Sequence, residues 1–178
     1  MKRVLIAMTV LLTCWAYTWG EANGPSSIFG IGIREPGRLA QWEFFMRVFV
    51  AKRLDLSPGI GYRSYKNSAG DTRELTLGLG GYYHLTYQSP VHLKLGWRLD
   101  YEHEKSKSSY SQNKSEFWGF GPAAQAEYFF SSHLSIAPEI NYQVGRTFYE
   151  YNDSYYGTTK SDFTTQRFST YIVIVFYF

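Results

Sequence analysis

Cysteine is nearly absent. Cys14 is the only one in 178 residues, so no disulfide staples the fold. Charge of one sign is not in excess: 18 lysines and arginines stand against 15 acidic residues, a formal net charge of +3. A net charge so small and so evenly spread along the chain gives no electrostatic footprint for nucleic acid. Beyond the first twenty residues no apolar stretch nears the roughly 18 in succession that a membrane-crossing helix needs, which excludes a helical membrane protein. The four histidines are far apart and lack zinc-ligand spacing, so neither a metal nor any other cofactor is expected. Gly30-Ile31-Gly32 and Gly78-Leu79-Gly80-Gly81 have no helix behind them to cradle a phosphate. What is plentiful is aromatic: 16 Tyr, 13 Phe and 5 Trp within a 44% apolar chain, enough to exclude disorder.

The start of the chain has the layout of an export leader. Met1-Lys2-Arg3 is basic, residues 4–12 are apolar, and small residues at Gly20 and Ala22 suit cleavage before Asn23. The expected division is therefore a signal peptide at 1–22 and one domain at 23–178. Leu11-Leu12-Thr13-Cys14 has the outline of a lipoprotein box. Thr13 stands where Gly or Ala is usual, so the cysteine is read as leaving with the leader.

After the leader the period is two. In residues 91–102, Val91, Leu93, Leu95, Trp97, Leu99 and Tyr101 share one face, and His92, Lys94, Gly96, Arg98, Asp100 and Glu102 share the other. Successive side chains of a strand point to opposite sides, whereas a helix would scatter both sets around its circumference. The same alternation marks 27–34, 42–51, 54–65, 75–84, 117–129, 134–147 and 167–178, giving eight predicted strands. Links alternate in length. Short ones lie at 52–53, 87–90 and 131–133; longer polar ones lie at 35–41, 66–72, 103–115 and 152–162. That pattern predicts an all-β, eight-stranded, antiparallel up-and-down transmembrane barrel, with termini and short turns periplasmic and long loops extracellular.

A soluble lipocalin-like barrel is the competing arrangement, with its apolar faces turned inward. Eight strands leave just enough room inside for side chains, and eight bulky apolar faces would overfill it. The other face carries Arg47, Arg63, Lys94, Arg98 and Arg167 against Glu43, Asp100, Glu102, Glu127 and Glu139, a set suited to an interior where charges pair. Reflection through the hairpins places Lys94 opposite Glu127 and Glu43 opposite Arg63. Pro58, Pro122 and Pro138 predict a bulge or a lost ladder bond at each, since a closed ring has no free edge.

The segment from Tyr171 through Ile172, Ile174 and Phe176 to Phe178 alternates and ends in Phe. With the eight-strand pattern it resembles the small outer-membrane barrels typified by the OmpA transmembrane domain and OmpX. The resemblance implies a bacterial outer-membrane location, partners in outer-membrane lipid and in the insertion machinery that reads such a last strand, and no catalysis. Val173 and Val175 predict a greasy patch on the inward side near the periplasmic end. A lipid A-modifying enzyme is the alternative of another class, but no histidine here stands in the His-x-Ser-Asn context such deacylases use. Glu102, His103 and Ser108 could only be sketched as a rim triad. A small ion channel or porin is the other alternative. Tyr110, Tyr151, Tyr155 and Tyr156 are candidates for surface recognition of an unidentified ligand, carried by the links 103–115 and 152–162.

Overall fold

The computed structural model describes residues 28–36, 42–67, 70–86, 91–108, 111–153, 155 and 157–178. The predicted leader, Tyr110 and Tyr156 lie outside them. Eight strands follow in chain order: β1 (Phe29–Pro36), β2 (Glu43–Ala51), β3 (Leu54–Asn67), β4 (Gly70–His84), β5 (Val91–Lys107), β6 (Ser111–Ser131), β7 (Leu134–Asp153) and β8 (Gly157–Tyr177). Each pairs antiparallel with the next, and β1 pairs with β8, so the sheet closes on itself. The register is strongly staggered. Followed once around from Val175 through Gly32, Phe45, Gly59, Gly78, Asp100, Gly119 and Gly145, it returns to β8 at Thr165, ten residues away. A stagger of this kind accompanies strands tilted by about 35–45° to the barrel axis.

Parity decides which way each side chain points. Phe44, Met46, Ile60, Leu77, Leu93, Leu95, Phe120, Ile140, Val144 and Phe176 are exposed on the outer wall, while Arg47, Lys94, Arg98, Glu127 and Glu139 are buried in the lumen. A lipocalin-like barrel would need the reverse. On β6 the outward residues run apolar from Phe130 to Trp118 and turn polar at Glu116. At ~3.3 Å per residue and the tilt above, Trp118 and Tyr128 stand about 25 Å apart along the axis, the height of a hydrocarbon belt between aromatic girdles.

The long polar links of the sequence reading are corrected here. β5 runs on to Lys107, β6 starts at Ser111, β7 ends at Asp153 and β8 starts at Gly157, so most of 103–115 and 152–162 is strand. β4 likewise starts at Gly70 and β3 reaches Asn67. The ladder persists because its hydrogen bonds need no apolar face; only the alternation that signals it stops, both sides being wet. Crossing a bilayer takes about 9–11 tilted residues. β6, β7 and β8, of 21, 20 and 21 residues, therefore project well beyond the belt, whereas β1 and β2 have 8 and 9.

The prolines interrupt the ladder without shifting it. Between β2 and β3 the register passes from Phe45↔Gly59 to Val48↔Leu56 across Pro58. Between β6 and β7 it passes from Phe120↔Val144 to Ala123↔Asn141 at Pro122, and from Gln125↔Glu139 to Tyr128↔Ile136 at Pro138. The irregularities in register lie elsewhere, at Phe49/Ala51 and Phe129/Ser131, beside the tight turns. At Gly121 the neighbouring strand comes so close that a Cβ would lie 1.8 Å from the Tyr142 carbonyl oxygen, leaving room for glycine alone.

Leu95 is 52% exposed at mid-belt on the outer wall. Leu95→Arg should destabilise the inserted barrel by about 2–4 kcal/mol, read by urea titration in phospholipid vesicles. Insertion with unchanged stability would mean the wall does not meet hydrocarbon.

Candidate functional site

The lumen is the candidate site, because it gathers side chains that could not stay buried alone. A carboxylate or guanidinium removed from water loses several kcal/mol of hydration unless partners replace it. Arg34, Arg47, Lys94 and Arg98 are at most 1% exposed, and Glu43, Asp55, Asp100, Glu127 and Glu139 at most 4%.

These groups form two linked clusters. Toward the loop end, Arg34 donates to Glu43 at 2.8 Å and to Glu139 at 3.1 Å. Arg98 donates to the other Glu43 oxygen at 2.5 Å and to Asp100 at 2.7 Å, and Gln143 also donates to Asp100, at 2.5 Å. The Tyr171 ring lies 5.3 Å from the Arg98 guanidinium and 5.7 Å from that of Arg34. Gly78 makes the space. A Cβ there would sit 2.7 Å from Arg98 Nη2 and 2.9 Å from both Asp100 and Glu43.

Toward the terminal end, Glu127 is the hub. It accepts from Arg47 at 2.6 Å, Lys94 at 2.5 Å, Ser135 at 2.5 Å and the Tyr177 hydroxyl at 2.7 Å. Asp55 lies 3.1 Å from Lys94 Nζ and 2.7 Å from His84 Nε2. Gln125 joins the clusters, accepting from Arg47 at 3.1 Å and donating to Glu139. Four cations thus face five carboxylates, and Gln143, Gln125, Ser135 and Tyr177 supply further, neutral donors. Beside them Phe45, Phe49, Ala137, Val173, Val175 and Tyr177 pack as an apolar cluster on one side of the lumen, with Phe129 against it and the Phe45 ring 4.8 Å from the Arg34 guanidinium. This is the greasy patch expected at Val173 and Val175.

The structure brings Glu43, Arg47, Lys94, Arg98, Asp100, Glu127 and Glu139 together. Arg63 is corrected out of the set. β3 places Gly61, not Arg63, opposite Glu43, and Arg63 sits half-exposed over the Tyr65 ring at 4.8 Å. Glu102 and Arg167 pair with each other at 2.5 Å, near the loop-side mouth and about a third exposed, with Arg167 over the Phe117 ring at 3.8 Å. Lys94 lies in register with Gln125, yet its long side chain reaches Glu127 two residues away. The sequence reading missed Arg34, Asp55 and His84, although all three share the parity of the charged face. The rim triad does not assemble: Glu102 turns inward to Arg167, while His103, on the opposite face, lies 3.5 Å from Glu116.

Of the insertion-signal residues, Ile172, Phe176 and Phe178 are exposed outward, Ile174 is half-buried on the same face, and Tyr171 points inward to the arginines. Among the recognition tyrosines, Tyr155 is 79% exposed at the β7–β8 turn, and the Tyr151 hydroxyl donates to Asp153 at 3.0 Å. On the projecting wall, Lys114 donates to Glu116 at 2.7 Å and holds that carboxyl below its ordinary range. Among the described residues no group of histidine, cysteine and acidic side chains is placed to hold a metal.

Solved structures share this ring of strands. A major outer membrane protein from Thermus thermophilus aligns with a TM-score of 0.55 at 13% identity, over 84% of this chain and 98% of that one. The N-terminal β-barrel domain of Pseudomonas aeruginosa OprF aligns with a TM-score of 0.50 at 13% identity, over 84% and 95%. The fold is that of the small outer-membrane barrels. The chain matches no family model and no curated protein. The sequence-based resemblance to such barrels therefore holds at the level of architecture, and the internal chemistry of this outer-membrane-type barrel must be read from its own residues.

Removing one partner of a buried pair strands the other. Glu127→Leu leaves Arg47 and Lys94 facing each other and should lower stability by about 3–5 kcal/mol. Arg146→Ala breaks an exposed pair with Asp162 and should change it by less than about 1 kcal/mol. Denaturant titration of the two refolded variants checks the contrast.

Proposed function

We propose that this chain is a non-catalytic integral protein of the bacterial outer membrane, a plugged barrel that anchors projecting hairpins at the cell surface. The observation that carries the reading is the pairing of an apolar outer wall with a lumen filled by mutually bonded charges. A continuous aqueous path would need that network opened, and in eight strands the side chains already occupy the interior. The work left to such a body is mechanical and interfacial. It holds β5–β8 above the membrane, where their paired backbones make a stiff, mostly polar surface ending near Tyr151 and Tyr155. In this orientation the tight turns at 52–53 and 131–133, the start of β1 and the end of β8 face the periplasm, matching short turns on one side and long hairpins on the other. The alternating outward residues of β8, Ile172, Ile174 and Phe176, are what the insertion machinery would engage.

Cell fractionation with gel mobility before and after boiling tests the location and the fold. The protein should appear in the outer-membrane fraction and change mobility on heating; recovery from soluble periplasm would overturn the reading. In planar bilayers the purified barrel should carry no sustained current. A steady conductance would show an open path and replace the plug with a channel.

A further inference from the structure

One flank of the projecting outer wall carries cations in direct register. Arg73 on β4 lies opposite Lys105 on β5, and Lys105 lies opposite Lys114 on β6. Two residues further from the belt, Lys66 on β3 and Lys107 on β5 both lie opposite Asp71 on β4. All share the outward parity of Leu77, Leu99 and Trp118, which are exposed on the same wall. Opposed residues of an antiparallel pair stand about 4.5–5.5 Å apart at Cα, and like charges placed so repel. Three carboxylates relieve the row in part: Asp71 bonds Arg73 at 3.0 Å, Glu116 bonds Lys114 at 2.7 Å, and Glu150 on β7, itself paired with Lys160, lies opposite Lys114. Lys66, Lys105 and Lys107 remain exposed. Glu74 and Glu104 lie opposite each other at the same height but on the inner side of the wall. The neighbouring flank is balanced, with Lys160 on Glu150 at 3.3 Å and Arg146 on Asp162.

The position of this row is informative. Directly beneath it come His103 and then Tyr101, whose ring packs on Trp118 at 4.4 Å, followed by the apolar wall at Leu77, Leu99 and Phe120. Lys105 is four residues past Tyr101, about 10 Å higher along the axis at the strand rise and tilt of a barrel. That is headgroup depth above a hydrocarbon belt. The geometry points to a binding site for a phosphorylated lipid, its acyl chains against Leu77, Leu99 and Tyr101 and its headgroup phosphates bridging Arg73, Lys105 and Lys114. The inference rests on the membrane reading above. A free anion would find only an open, convex surface here, whereas a lipid already held by its chains brings its phosphate to the row at high local concentration.

The test uses the full barrel in phosphatidylcholine vesicles and energy transfer from its tryptophans to dansyl-labelled lipid A. The wild type should bind bisphosphorylated lipid A at least about tenfold more tightly than the dephosphorylated form, with affinity falling as salt rises. The combined variant R73Q, K105Q and K114Q should bind about a hundredfold more weakly. Arg146→Gln, on the balanced flank, should bind as the wild type does. The heat-dependent gel shift reports that each variant is folded, and Lys105→Gln alone, altering one exposed side chain, should give a smaller loss in the same direction. Equal affinity in wild type and combined variant, equal binding of dephosphorylated lipid, or complete displacement by millimolar inorganic phosphate would each overturn the lipid site. A wild type that inserts but shows no lipid A preference overturns this inference alone. A wild type that enters no vesicle overturns the membrane reading as well.

Discussion

Charged groups in the lumen can stay buried only in one another's company, and the whole barrel depends on that. Glu127 accepts from four donors and Glu43 from two arginines, so no single bond carries either carboxylate. Those donors come from β1, β2, β5, β7 and β8, strands that meet only when the ring is closed. The network is therefore a consequence of closure and also a reason for it: an open sheet would leave the same residues on a wet face without partners. It favours one register as well, because a slip of one residue would turn the ionic face toward the outside.

The outer wall follows from the same constraint seen from the other side. With the lumen taken up by arginines, carboxylates and an apolar cluster, the remaining parity of each strand has nowhere to go but outward, and that parity is rich in Leu, Ile, Phe, Trp and Tyr. Only a surrounding hydrocarbon makes such a surface stable, since exposed apolar patches of this extent drive association in water. Past Glu116, Arg146 and Gln166 the outward residues, Phe148 apart, become polar and the sheet continues as a wall. Its two flanks differ. One pairs its charges across strands, and the other stacks cations of one sign above the aromatic girdle.

Much of this was legible in the residues. Alternation alone separated Arg98 from Leu99 and Glu139 from Ile140, and the prolines announced the places where ladder bonds are lost. Elsewhere local pattern misled. The projecting ends of β5 to β8 read as loops because polar residues on both sides erase the period of two, although the backbone pairs just as well. Arg34 and Asp55 lay on the charged parity but near strand ends, where a single charge resembles the start of a loop. Glu43 and Arg63 were matched by reflecting a hairpin about its turn, and the β2–β3 register sets Gly61 there instead.

The sequence by itself determined the two faces of every strand, since side-chain direction in an extended chain depends on nothing but parity. It also determined which face could tolerate water and which could not. Which charges meet was decided only by the closed structure. Partners such as Arg34 and Glu139, or Arg47 and Glu127, are separated by 105 and 80 residues, and the distance between them is set by a ten-residue stagger that belongs to the ring as a whole and to no segment of it.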